Sequence, residues 1–227
     1  MIKIDTVYQT VLALANKEQR GYITPQEFNL FADHAQMSIF EQYFYDLNQF
    51  KRVPGNQSEY ADMVKILEDK ISIFYTTANY TFDTAKAIAI LPDDFYRSQD
   101  FVLVDSYKAE KITKDEAAAY ISPLTSPTKF RPVYFFDSNF ISFAPQGENV
   151  SFNYIRKPIK PQWTYVVVNE KALYNPSGNA VDFELHPSEQ KNLVNRILKL
   201  AGISIEDAGL VQVATQEEIK NIRQEKA

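Results

Sequence analysis

The amino-acid sequence predicts an α+β fold: N-terminal antiparallel helices, a central antiparallel β-sheet or sandwich, and a C-terminal helix followed by a helical tail. Three observations carry this prediction. Apolar residues recur at steps of three and four before Tyr80, alternation and turn residues dominate after it, and helical spacing returns from Pro187. Hydrophobic residues make up 45% of the 227 residues and charged residues 23%, which is the balance of a chain that folds around a core.

Three helices are predicted in the first part of the chain. Residues 4–16 and residues 25–50 each place their apolar side chains along one stripe. Residues 54–58 include a proline and a glycine, which interrupt that spacing, and the spacing resumes from Tyr60 to Phe74. We therefore expect a short first helix, a long second helix, and a third helix that packs back on the second.

The middle of the chain is predicted to form antiparallel strands, because aromatic and β-branched residues alternate there. Residues 137–139 and residues 145–149 are rich in turn formers, and each is expected to join neighbouring strands as a hairpin. Residues 112–120 are expected to form a small helical excursion. The predicted strands are residues 87–91, 101–105, 133–136, 140–143, 150–156 and 165–168.

These elements divide one composite domain into four parts. Residues 1–79 are the helical part, and residues 80–186 are the antiparallel β part. Residues 187–208 hold a helix that returns to the helical part, with Gly202 as its C-terminal cap, and residues 209–227 are a docking tail. The tail is too polar to anchor itself, since ordering a residue costs about 1 to 2 kcal/mol of backbone entropy. Its aliphatic residues are a candidate partner interface: Leu210, Val213, Ile219 and Ile222.

Composition excludes several classes of protein. Cysteine is absent, so the chain has no disulfide, thiolate nucleophile or cysteine-based zinc site. The net charge is −5 and the basic residues are scattered, which argues against sequence-specific nucleic-acid binding. No run approaches the roughly 18 apolar residues that cross a bilayer, so we expect a soluble protein, made in the cytoplasm, with no membrane partner. The 6 glycines form no phosphate-binding or dinucleotide motif, and we expect no cofactor and no enzymatic activity.

Residues 16–27 align with the twelve-position calcium loop of an EF-hand at its glycine, its isoleucine and its final glutamate. Asn16, Glu18 and Glu27 are weak metal-ligand candidates on this basis. Arg20, however, takes a ligand position and would place a fixed positive charge beside the ion. The favoured interpretation is a helix boundary at which Thr24 and Glu27 form a capping box. An EF-hand-like calcium-binding module stays the alternative function.

Two further clusters of charged residues are candidate functional sites. Asp93 and Asp94 follow a proline and resemble a catalytic carboxylate pair, but adjacent residues of an extended chain point to opposite sides, so turn chemistry is the preferred interpretation. Arg156, Lys157 and Lys160 form a candidate basic cluster at the end of a predicted strand. The cluster fits either contact with DNA phosphates or an acidic neighbour, or a solvated strand end, and the solvated end is preferred.

Four stretches of the sequence, taken together, resemble ring-forming head-to-tail connector proteins of crAss-like phages and related podoviruses. The second of them begins with Leu91-Pro92-Asp93-Asp94-Phe95, and the third ends in Tyr154-Ile155-Arg156-Lys157-Pro158. In order along the chain, the stretches are residues 12–29 with 36–46, residues 91–97, residues 140–145 with 152–158, and residues 183–190 with 198–203.

The resemblance implies a non-enzymatic structural protein of the virion. Its subunits would form a ring, usually dodecameric, below the portal and line the path by which DNA leaves. The implied partners are other copies of the chain, the portal, and neighbouring ring or tail proteins, with at most non-specific contact with DNA. Contacts between identical subunits of such a ring are heterologous.

Overall fold

The structure, a computed structural model, describes residues 1–17, 23–52, 58–121, 124–169 and 171–204. Helices and a large sheet within these residues confirm the predicted α+β class. The chain divides into two compact units. Unit 1 contains Met1–Ile73 and the chain from Pro158 onward, and unit 2 contains Phe74–Lys157.

The described part of unit 1 contains four helices, and all of the predicted helices before Tyr80 form. Their apolar stripes cover one core, in which Val11, Phe28 and Ile197 are buried. Gly202 was expected to end the last helix, which is wrong, because the helix continues to Ser204. The helices are α1 Ile4–Lys17, α2 Pro25–Arg52, α3 Ser58–Ser72 and α4 Gln190–Ser204, and a 3₁₀ turn at Pro187–Glu189 leads into α4.

Residues 158–186, which lie in the predicted β part, belong to unit 1. The reason is a long-range contact: Trp163 is fully buried and donates its indole N–H to Oδ1 of Asp5 in α1 at 3.0 Å. Asn29 of α2 accepts the backbone N–H of Trp163 at 2.8 Å and donates to its carbonyl at 3.1 Å. The side-chain amide of Asn29 thus makes the two hydrogen bonds to the Trp163 backbone that a neighbouring strand would otherwise make.

Gln36 of α2 makes a similar pair of hydrogen bonds about two helical turns after Asn29. Its side chain is completely buried, donates to the carbonyl of Ile159 at 2.8 Å and accepts the backbone N–H of Glu184 at 3.0 Å. The carboxylate of Glu184 in turn accepts the N–H of Ile159 at 2.8 Å. The backbone groups of Ile159 and Glu184 in these bonds therefore find their partners in side chains.

Unit 2 is a six-stranded sheet centred on its longest strand, β6. Antiparallel partners of β6 are β1, β2 and β5, whereas β4 pairs with β5 in parallel, which departs from the expected all-antiparallel sheet. The strands are β1 Tyr75–Ile90, β2 Phe95–Val104, β3 Tyr107–Lys108, β4 Glu110–Lys111, β5 Val133–Phe136 and β6 Phe140–Arg156. In unit 1, β7 Tyr165–Val168 and β8 Lys171–Tyr174 form a separate hairpin.

The turn at residues 137–139 joins β5 to β6 as predicted, but the hairpin expected at residues 145–149 is wrong. The chain runs straight through these residues because β1 lies beside both halves of β6, with a register shift between them. A Cβ atom on Gly147 would lie 2.6 Å from Cγ1 of Val104. The glycine therefore permits a close approach of β2, where it was expected to form a turn.

Candidate assembly surface

The candidate calcium loop contains a formed helix cap. Glu27 accepts hydrogen bonds through Oε2 from the backbone N–H of Thr24 at 3.0 Å and from its hydroxyl at 2.8 Å, while the Thr24 hydroxyl oxygen accepts the N–H of Glu27 at 3.3 Å. These bonds favour the charged carboxylate, so the pKa of Glu27 lies below its ordinary value. Glu18 lies outside the described residues. Within the described part of the chain, no three carboxylate or imidazole groups are grouped to hold a metal ion.

Asp94 has a structural partner. Its Oδ1 accepts the phenol hydrogen of Tyr154 at 2.9 Å, and its carbonyl accepts the backbone N–H of Lys157 at 2.7 Å. The N–H of Phe95 bonds to the carbonyl of Pro92 at 3.0 Å, which is the turn that the sequence favoured. Asp94 therefore joins the start of β2 to the end of β6.

The three residues of the candidate basic cluster fall in different units. Arg156 and Lys157 end unit 2, and the Arg156 guanidinium lies 6.0 Å from the centre of the Phe74 aromatic ring. Lys160 belongs to unit 1, where its ammonium lies 3.3 Å from Oδ2 of Asp33. Arg156 thus packs on an aromatic ring of unit 2, and Lys160 pairs with a carboxylate of unit 1.

A partly buried polar network that sequence reasoning missed links α2, α3 and α4, and Glu189 and Arg196 are its buried members. Lys70 lies 2.6 Å from Oε1 of Glu189, and Asn192 donates to Oε2 of the same carboxylate at 3.1 Å. Arg196 donates to Asn192 at 3.2 Å and also bonds to Ser38 and Gln42. These polar residues sit among the apolar positions of their helices, and only the folded arrangement reveals that they meet.

The β7–β8 hairpin carries an exposed apolar surface of unit 1. One of its faces is anchored, because the aromatic rings of Tyr165 and Tyr174 stack on Trp163 at 5.7 and 5.8 Å. Side chains alternate between the faces of a strand, so the residues between these anchors point the other way. Val166 stands opposite Leu173, and Val168 follows on the same face. We call these three residues the hairpin patch; they are 46%, 50% and 47% exposed in the order Val166, Leu173 and Val168.

A second apolar surface lies at the end of β1 in unit 2. Ile88 and Ile90 are two positions apart, so they share one face of the strand, and they are 49% and 74% exposed. We call this pair the β1 patch. Ile88 also lines an apolar pocket of about 330 Å³ with Ala87, Ile112 and Phe135 among its neighbours. Within the described residues β1 pairs only with β6, so its other edge carries no strand.

The tail residues proposed as a partner interface, Leu210, Val213, Ile219 and Ile222, lie outside the described residues.

No helix in the described part combines the length and the apolar character that a membrane span requires. No protein-family model matches the sequence, and a search of curated proteins found no match.

Proposed function

We propose that this chain is a non-enzymatic structural protein of a phage particle, which forms a ring in the head-to-tail connector or tail below the portal and lines the DNA exit path. The hairpin patch is the observation that carries the proposal. It presents three aliphatic side chains away from the body of unit 1, with Lys171 opposite Val168 on the same face. Contiguous exposed apolar surface of this kind is typical of an interaction site.

The size of the patch favours a closed assembly over an isolated pair. Full burial of an aliphatic side chain is worth roughly 1.5 to 3 kcal/mol, so finishing the burial of three half-exposed side chains returns about 2 to 5 kcal/mol. Loss of rigid-body freedom on association costs about 4 to 15 kcal/mol. A single contact is therefore weak, whereas each subunit of a closed ring is held at two contacts at once.

The chemistry of the buried polar groups is consistent with a structural role. Asp94 and Tyr154 bind each other between two strands, and Lys70 and Glu189 bind each other between two helical segments. Each of these ionisable groups holds parts of one unit together. Whole-chain resemblance to connector proteins adds the place of the ring, the dodecameric expectation, and the portal and neighbouring ring or tail proteins as partners.

The test is to look for this polypeptide in purified phage particles. We expect mass spectrometry to detect it at a copy number that matches a ring, and cryo-electron microscopy to place that ring next to the portal. Particles that lack the polypeptide would overturn the proposal. Calorimetry with calcium separates the alternative function, since a calcium module would release or take up heat with saturable stoichiometry and a ring subunit would not.

A further inference from the structure

We infer that the hairpin patch of one copy packs against the β1 patch of a second copy, so that β7 adds to the open edge of β1. This contact rests on the proposed function, because it names the surfaces through which subunits of the ring would meet. It commits to a second copy of this chain as the occupant of both patches.

Among the residues that the structure describes, the hairpin has no third strand. Two-stranded hairpins are marginal in water, and three or more strands with an apolar face are needed for independent stability. Here the base is secured, because Thr164 and Asn175 exchange two hydrogen bonds below the strands, and the two tyrosines stack on Trp163. Towards the tip, Val167 on the anchored face is 66% exposed, so both faces of the hairpin present valine there.

The β1 edge supplies what the hairpin lacks. In the described part of the chain, β1 is a strand of 16 residues with one edge that no strand covers, which makes it a template for strand addition. At its end, Ile88 and Ile90 have the same two-residue spacing as Val166 and Val168. Side by side, the four would form cross-strand pairs of β-branched residues, which are stiff and therefore lose little side-chain freedom on contact.

The two patches are different surfaces of one chain, and this selects a second copy as the partner. Every copy carries one hairpin patch and one β1 patch, so the two surfaces are always present in equal numbers. Both patches consist of aliphatic side chains, so they suit each other better than they suit an acidic, basic or nucleic-acid partner. Because the surfaces differ, the contact is heterologous, and repeated heterologous contacts close into a ring or continue as a filament.

Absence of cysteine makes a clean cross-linking test possible. One preparation carries Ile88→Cys, another carries Val166→Cys, and a third carries Val168→Cys. We expect mild oxidation to yield a covalent, reducible dimer when the first is mixed with the second or the third, and none when any preparation is oxidised alone. Since each chain holds one thiol, the product cannot arise within a single copy. Thr77→Cys, an exposed position near the other end of β1, replaces Ile88→Cys as the matched control and should give no product.

The outcomes separate this contact from the proposed function. A dimer in the mixture and none with the control supports the contact. A dimer formed by Val166→Cys or Val168→Cys alone indicates an isologous hairpin pair and overturns it, and so does a mixture that yields no more product than the control at any concentration. Absence of the polypeptide from particles would refute the proposed ring, but it would leave the heterologous contact between two copies open to the cross-linking test. Presence in a ring without this cross-link would remove only the contact.

Discussion

Tyr154 donates its phenol hydrogen to Oδ1 of Asp94 across 2.9 Å, where the end of β6 meets the start of β2. Burial, together with this hydrogen bond and the carboxylate charge, raises the pKa of Tyr154 to about 12. Its value in the unfolded chain is about 10. The protonated Tyr154 phenol therefore makes its full contribution to the free energy of unfolding below pH 10. This contribution is lost as the pH rises from about 10 to about 12.

We expect the free energy of unfolding of Tyr154→Phe to fall less steeply over this range than that of the wild type. Urea unfolding at several pH values between 8 and 11.5 measures the two slopes. Some slope should remain, because burial also raises the pKa of Tyr80. Tyr107→Phe, at an exposed position of the same unit, is the control and should keep the wild-type slope. Equal slopes for Tyr154→Phe and the wild type would contradict the assignment.

Glu189→Gln should destabilise unit 1 by about 3 to 5 kcal/mol, because it leaves Lys70 without its counter-ion in a buried position. The side chains of the pair are only 13% and 3% exposed. Lys114→Gln, which breaks an exposed pair with Asp137, should lower the free energy of unfolding far less, because water screens that pair. Chemical denaturation compares the two. Adding Lys70→Met to Glu189→Gln removes the unpaired charge and should recover part of the loss; an unchanged or larger loss would refute the explanation.

Glu27→Gln should change the free energy of unfolding by no more than about 1 kcal/mol near neutral pH, because glutamine can still accept the N–H of Thr24. Below the ordinary glutamate pKa the difference should shrink, since the wild-type carboxylate loses its charge-dependent bond as the pH falls. Thermal unfolding at neutral and at acidic pH checks both points, and its repetition with calcium tests the alternative function. Glu116→Gln, in a similar capping box with Thr113, is the matched control. Calcium-dependent stabilisation of the wild type that disappears in Glu27→Gln alone would favour the EF-hand alternative.

Removal of the residues after Gly209 should leave the melting temperature of the isolated protein nearly unchanged and should block its incorporation into particles. The sequence offers too few apolar anchors there to hold the tail on its own body, so a partner must supply the rest. A full-length chain with Ile219→Ser and Ile222→Ser is the companion variant, and it should also fail to incorporate. A truncated protein that unfolds, or one that assembles normally, would contradict the docking role.

Local patterns predicted the helices well because a helical stripe depends on spacing within a single segment. The expected limits of α1 and α2 differ from the observed ones by one or two residues. The turn at residues 145–149 was misjudged because proline and glycine also suit a register shift inside a long strand. Its outcome depends on β1, far away in sequence, which runs beside both halves of β6.

The candidate surfaces could be predicted only in part. Alternation correctly predicted a strand at Tyr165–Val168, but which face of it is exposed depends on the stacking of Tyr165 on Trp163. That tryptophan is held by Asp5, 158 positions earlier in the chain. The capping box of Thr24 and Glu27 could be predicted because its two members are three residues apart. The meeting of Lys70 with Glu189 has no such local signature.

Unit 2 is an insertion in the sequence of unit 1, and its two ends are neighbours: the N–H of Arg156, the residue before its last, bonds to the carbonyl of Phe74, its first residue, at 3.0 Å. During synthesis, α1 and α2 leave the ribosome before the segment that carries Trp163, so their binding positions for it wait until the whole of unit 2 has been translated. Closure of β1 against β6 then joins two distant points of the chain and shortens the loop that unit 1 must close. The nascent protein is thus expected to complete its sheet first and its helical body last, which makes the strand pairing of unit 2 the event that sets the order of folding.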